Sequence, residues 1–318
     1  YLVERFEAGQ KTELTEQYSI RRPFDAQITG LTGAPPGQST EWLAKTVLGR
    51  YSYSPSDGQT EVGRATPRSA AGDVRLDATL DDLVTSGKFV ARERRKVLGY
   101  ECQVYRTGLG VESFQVEAPT DTDYADTCID ANGLMLEQVT LVGGVVSQRR
   151  IVTEIDAAAT LADDRFEITG DDTPLADGGT ELRDIDKATL PVTGYWQLSP
   201  DGYEHVARYR VLQPGKSSST DTSTTSTTVP PPQETYADVY SKGADYIVVQ
   251  QGPKAAAPDA ATDTEAVTVG DLGGGQLQVA IAGSSVQTFP SAPADWFVTV
   301  TGSLSKAELV EIASTAKS

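Results

Sequence analysis

Residues 100–155 read YECQVYRTGLGVESFQVEAPTDTDYADTCIDANGLMLEQVTLVGGVVSQRRIVTEI, and the fold is decided there. Strand-like runs are separated by turn residues at Gly108 to Gly110, Pro119 to Asp123, Asp130 to Gly133, and Gly143 with Gly144, which is the punctuation of an antiparallel meander. Within the runs Tyr100, Cys102 and Val104 alternate with Glu101, Gln103 and Tyr105, while Phe114 and Val116 alternate with Ser113, Gln115 and Glu117. Such alternation gives a sheet one apolar face. That face is expected to carry Val104, Phe114, Val116, Leu134, Leu136 and Ile151. If a helix covers it fully it is a core; if a gap remains it is a pocket for an apolar ligand. Periodicity leaves both open.

Upstream, Asp77 to Ser86 reads as the covering helix. Asp77 or Thr79 supplies its cap, Leu80, Leu83 and Val84 recur at helical spacing, and Gly87 stops it. The apolar side of this helix is expected to lie across the sheet, an α+β arrangement in which a curved sheet partly wraps a helix.

Downstream, Asp171, Asp172, Pro174, Gly178 and Gly179 punctuate the chain. We therefore expect one domain over residues 1–172 and a smaller α+β domain over 188–318. Strand-like runs in the second lie at Tyr195 to Leu198, Tyr203 to Leu212, Tyr236 to Gln250, Gln276 to Ile281 and Trp296 to Thr301. It closes with a helix: Ser305 and Glu308 form a capping box, Leu304 and Leu309 its staple, and Leu309, Ile312, Ala313 and Ala316 one apolar stripe. Residues near 214–233 and 254–264, rich in Ser, Thr, Pro and Ala, cannot bury enough apolar area to offset their ordering entropy. They are expected to be disordered loops inside this domain.

The 318 residues carry a net charge of -18. Nucleic-acid binding needs Lys and Arg to neutralise phosphates, so that class is set aside. Broad adhesion to anionic lipid is disfavoured too, whereas apolar capture of an acyl chain is untouched. No apolar run approaches the roughly 18 residues needed to span a bilayer. The first residue is Tyr1 rather than Met, so an upstream leader or anchor, since removed, is an expectation.

Cys102 and Cys128 are the two cysteines, on neighbouring strand-like runs. They suit one disulfide in an oxidising compartment, with two unpaired buried thiols as the alternative. No further Cys or His stands at ligand spacing, so neither a metal nor another cofactor is expected.

Catalytic groups are sparse. His205 is the sole histidine, within an alternating strand pattern, and no G-x-S-x-G elbow precedes a helix; a strand histidine is the reading. Gly273 to Gly275 lack the Lys and hydroxyl residue of a phosphate loop and read as a hairpin loop. Asp130, Asn132 and Gly133 read as a tight turn, because no Glu closes a calcium loop around them. Asp163 with Asp164, and Asp171 with Asp172, read as solvated pairs. The concentrated basic run is Arg92, Arg94, Arg95 and Lys96, interrupted by Glu93. On a regular strand Arg92, Arg94 and Lys96 share one side, either solvated or meeting an anionic partner. Arg21 and Arg22 pose the same choice.

Three phrases then resemble a known family: Arg22-Pro23-Phe24, Val97-Leu98-Gly99-Tyr100-Glu101-Cys102-Gln103-Val104-Tyr105, and Cys128-Ile129-Asp130 leading to Gly133-Leu134-Met135-Leu136. The first domain resembles the LolA-like superfamily, and most nearly the periplasmic RseB (MucB) regulators. Leu190-Pro191, Val239 to Gly243 and Trp296 to Lys317 extend the likeness to RseB-like carboxy-terminal domains. The resemblance implies a half-barrel sheet with a covering helix, no enzymatic activity, and an extracytoplasmic, membrane-proximal location. It also implies a role in envelope stress signalling, by sensing an acyl lipid or lipoprotein or by binding an anti-sigma factor and delaying its proteolysis. The alternatives are a lipoprotein or glycolipid carrier of the LolA type and a pure protein-interaction module. The acidic charge and the Lys216 to Pro232 insertion depart from the proteobacterial pattern.

Overall fold

The structure is a computed structural model. It describes residues 1–7, 9–21, 25–32, 41–45, 50–54, 61–64, 76–109, 118–168, 181–184, 195–213, 233–258, 263–280, 283–291 and 295–318. Two antiparallel sheets dominate it, and two α-helices lie against the second of them.

The first sheet joins two meanders. One consists of β1 (Leu2–Glu7), β2 (Gln10–Arg21), β3 (Asp25–Thr32), β4 (Glu41–Lys45), β5 (Arg50–Ser54) and β6 (Glu61–Arg64). Helix α1 (Leu76–Thr85) follows. The other meander is β7 (Val90–Val97), β8 (Tyr100–Thr107), β9 (Tyr124–Asp130), β10 (Met135–Val142) and β11 (Val145–Ile151). Strand β1 pairs with β11, Leu2 opposite Ile151 and Arg5 opposite Gln148, which makes an open sheet of 11 strands with β6 and β7 at its edges.

Local chemistry explains the hairpins. Leu98 and Gly99, both at positive φ (50° and 87°), turn β7 into β8, a mirror-image turn whose twist matches that of the strands. Between β9 and β10 the Asp130 carboxylate accepts from the backbone N–H groups of Asn132 (2.9 Å) and Leu134 (2.8 Å). This is the expected tight turn.

The second sheet has eight strands: β12 (Glu181–Asp184), β13 (Glu204–Gln213), β14 (Gln233–Lys242), β15 (Asp245–Pro253), β16 (Glu265–Val269), β17 (Gly273–Ala280), β18 (Gly283–Thr288) and β19 (Trp296–Gly302). Their order is β12-β13-β14-β15-β19-β18-β17-β16. The sheet thus takes in a strand upstream of residue 188. The run Tyr236 to Gln250 is a hairpin that turns after Lys242 rather than one strand. Tyr195 to Leu198 is not a strand; Gln197 makes an isolated bridge to Lys317.

Gly273 to Gly275 open β17 and do not form the hairpin loop. A Cβ on Gly275 would stand 2.8 Å from Cγ2 of Thr288 and 3.0 Å from the Gln287 carbonyl oxygen, so glycine permits the approach of β18. Lys254–Ala256 is a short 3-10 helix with Ala256 buried, within the stretch expected to be a loop. Residues 214–232 lie outside the described residues.

Helix α2 (Lys306–Ala313) has the anticipated cap: the Ser305 side chain accepts from the Glu308 N–H while Glu308 Oε2 accepts from the Ser305 N–H at 3.1 Å. Leu304, Leu309, Ala313 and Ala316 are buried in one core with Val269, Leu272, Leu277, Val286, Val298 and Val300. Burying Leu309 alone contributes about 1.5 to 3 kcal/mol.

Candidate binding surface

The two hairpins that carry the family phrases, β7–β8 and β9–β10, lie side by side in the first sheet. Val104 stands opposite Cys128 and Cys102 opposite Asp130, so the Cys102–Cys128 disulfide crosses β8 and β9 on a diagonal, with Cα atoms 5.4 Å apart. Both half-cystines are buried with Val97, Val104, Leu136 and Val152, and Leu134, Ile151 and Ile155 pack against them. Val104, Leu134, Leu136 and Ile151 are therefore brought together. Phe114 and Val116 lie outside the described residues.

The covering helix is on the other face. Cys128 and Ile129 are neighbours on a strand and point to opposite sides. Leu83 of α1 packs with Ile129 and Phe89, joined by Leu80, Tyr105 and Val279. The helix thus misses the face of Val104, which is packed instead by Val152 and Ile155 after β11. Asp77 and Thr79 lie within α1 rather than ahead of its first residue.

Helix α1 also joins the two sheets. Val279 belongs to β17, Lys88 forms an ion pair with Asp263, and Asp82 Oδ2 accepts from the backbone N–H of Lys306 at 2.8 Å. A carboxylate from the first half of the chain thereby sits at the positive end of α2.

Among the described residues β7 is the longest edge strand: it has eight residues, against four, four and five for β6, β12 and β16. Every residue from Val90 to Lys96 is exposed, and Val97 alone is buried. Ala91 pairs with Tyr105 but Arg94 with Gln103, so Arg92 and Glu93 together oppose Val104. This is a β-bulge, and the Gln103 side-chain amide donates to the carbonyls of Arg92 (2.7 Å) and Glu93 (3.3 Å) within it. The bulge breaks the alternation expected here. Arg94 and Lys96 keep a common side, and Arg92 lies at the bulge.

The cations of β7 differ in their commitments. Arg95 bonds Glu93 and reaches Glu137 at 3.2 Å. Glu137 continues to Arg149 at 3.0 Å, so Arg95 belongs to a chain of charges across the sheet. Lys96 meets Glu101 at 3.2 Å with both side chains mostly exposed, a pair worth about 1 kcal/mol or less. Arg94 donates to Gln103 at 3.4 Å. Neither Arg92 nor Arg94 has a carboxylate partner among the described residues. Arg21 pairs with Asp163 and stacks over Phe166 at 4.8 Å; Arg22, Asp171 and Asp172 lie outside the described residues.

His205 belongs to a buried hub that sequence reasoning missed. Asp238 Oδ1 receives His205 Nε2 and Arg208 Nε, each at 2.7 Å, and Oδ2 receives the Tyr195 hydroxyl at 2.7 Å. Burial pushes the Asp238 carboxyl up, but the bonds from His205, Arg208 and Tyr195 outweigh it and hold the group below the ordinary aspartate range. Burial pushes the nearby Tyr240 phenol up to about 12, with the Asp238 charge adding to it. The available signal was an aspartate within the strand Tyr236-Ala237-Asp238-Val239-Tyr240.

No family model matches the sequence, and no curated protein matches it. Solved structures do align with it. It is similar to MucB over nearly its whole length. The structure of the Pseudomonas aeruginosa MucA/MucB complex matches at 14% identity, covering 99% of this chain and 90% of that one, with a TM-score of 0.33. MucB in complex with MucA(peri) matches at 15% with a TM-score of 0.30, and MucB by itself at 13% with 0.29, each over 99% of this chain and 90% of that one.

Proposed function

We propose that this chain is a non-catalytic extracytoplasmic binding protein of the RseB kind, which holds the extracytoplasmic segment of a membrane-anchored anti-sigma factor. The observation that carries the reading is the β7–β8 hairpin. It contains the family phrase Val97 to Tyr105, and it is also an exposed free edge of the first sheet. A long unpaired strand can take up another chain through main-chain hydrogen bonds.

Other features support the parts of this reading. The Cys102–Cys128 disulfide suits an oxidising compartment. A charge of -18 turns away nucleic acid. Both oxygens of Asp238 are occupied by donors, an arrangement that ties strands together and commits the carboxylate beside His205 to structure. An acyl lipid or lipoprotein is the competing ligand; Val104 and Leu136 are already buried against their neighbours, so an acyl chain would have to displace them. Native mass spectrometry of the chain, isolated from its host's envelope in mild detergent, tests the reading. A one-to-one complex with an anti-sigma factor supports it, and a chain carrying lipid alone, or nothing, overturns it.

A further inference from the structure

The β7–β8 hairpin combines features that a merely protected sheet edge does not need. Edge strands resist aggregation through charges and bulges, and β7 has both. Protection, however, does not call for apolar groups in water. Leu98 is 52% exposed at the tip, Tyr100 beside it 40%, and Val90 at the start of the strand 38%. Leu98 also holds φ at 50°, where a non-glycine residue costs roughly 1 kcal/mol and Asn or Gly fits better. An exposed leucine kept in a strained turn is thus a cost to the free protein with no burial in return.

We propose that β7 and the Leu98 tip form a docking strand for an extended acidic segment of a partner polypeptide, which adds beside β7 as a further strand of the first sheet. The inference rests on the reading given above and names the surface and the chemistry of the partner. Every second N–H and C=O of an edge strand points away from its neighbour, and among the described residues β7 has no strand on that side. Arg92 and Arg94 have no carboxylate partner among the described residues, and Lys96 shares Glu101 in water. Asp or Glu side chains on one side of the added strand meet Arg94 and Lys96, an acidic group near the bulge meets Arg92 on the other side, and an apolar residue covers Leu98 and Tyr100. A second copy of the chain is a poor occupant, since pairing β7 with β7 sets Arg92, Arg94 and Lys96 against their own copies. An anionic membrane is a poor one as well, since a broad surface meets the acidic remainder of a chain of charge -18, whereas a single added strand meets β7 alone, within a screening length of its cations.

The test uses the full oxidised chain and a labelled peptide of alternating Glu and Val, with alternating Lys and Val as control. Binding is followed by fluorescence anisotropy and by amide exchange. The expected result is saturable binding of the acidic peptide alone, weakened by salt, with new protection of amides between Val90 and Val97. Replacing Arg92→Glu, Arg94→Glu and Lys96→Glu together should weaken binding about tenfold or more. Equal binding of both peptides, no protection along β7, or tighter β7-dependent binding to phosphatidylglycerol vesicles overturns the proposal. The anti-sigma segment separates this proposal from the reading beneath it. If that segment binds the triple variant as tightly as the parent chain, the surface is wrong and the reading stands. If it binds neither, the reading falls, and the peptide measurements alone decide the surface.

Discussion

The Nε–H of Arg208 donates to Oδ1 of Asp238 across 2.7 Å, with 5% of one side chain and 1% of the other exposed. Each charge is compensated by the other in a place that water does not reach. Breaking such a pair from one side strands the remaining ion, at a cost of about 3 to 5 kcal/mol. Asp238→Asn is therefore expected to destabilise the second sheet by that amount in urea denaturation. Its cross-strand partners Arg208 and Val249 should lose amide protection with it.

The same carboxylate sets a pH dependence. Its folded pKa is depressed relative to an unfolded aspartate near about 3.9. Its contribution is thus fully present above the unfolded value and is lost as pH falls through the folded one. The urea midpoint of the parent chain should fall more steeply below about pH 4 than that of Asp238→Asn. Equal acid slopes would show that the hub does not depress this group.

The diagonal bridge between Cys102 and Cys128 spans 26 residues of sequence. Closing a loop of that length restricts the unfolded chain by about 3.5 kcal/mol in the chain-entropy model. Reduction, or Cys102→Ser with Cys128→Ser, should lower the stability of the first sheet by about that much, measured by urea denaturation with and without reductant.

Asp82 caps the first turn of α2 from outside the second sheet. Asp82→Ala should cost about 1 kcal/mol. It should also speed amide exchange at Lys306, while strands β8 to β10 stay protected. Faster exchange throughout β8 to β10 would assign Asp82 a role in the first sheet.

What could be read from the sequence was whatever depends on near neighbours in the chain. The Asp130 to Gly133 turn, the Ser305 and Glu308 capping box, and the alternation that pairs Cys102 with Cys128 are set by residues within a few positions or on adjoining strands. The misreadings share one cause, long-range placement. Alternation says that Cys128 and Ile129 face opposite ways, but not which of the two sides α1 covers. An added residue opposite Val104 shifts the phase of β7, and Arg92 leaves the side of Arg94 and Lys96. Glycines 273 to 275 look like a loop because the close approach of Thr288 to Gly275 is made by another strand. Asp238 gathers donors from β13 and from the segment at Tyr195, which only the folded sheet brings within reach. Of the candidate surface, the cations were legible; their free edge and the strained Leu98 were not.

The account stands most directly on a calorimetric titration of the host anti-sigma factor's extracytoplasmic segment into the oxidised full-length chain. Saturable one-to-one binding is predicted, with the segment recovered intact and bound acyl lipid unnecessary. Absence of binding by the lipid-free chain, with binding restored only when an acyl lipid is supplied, would contradict it.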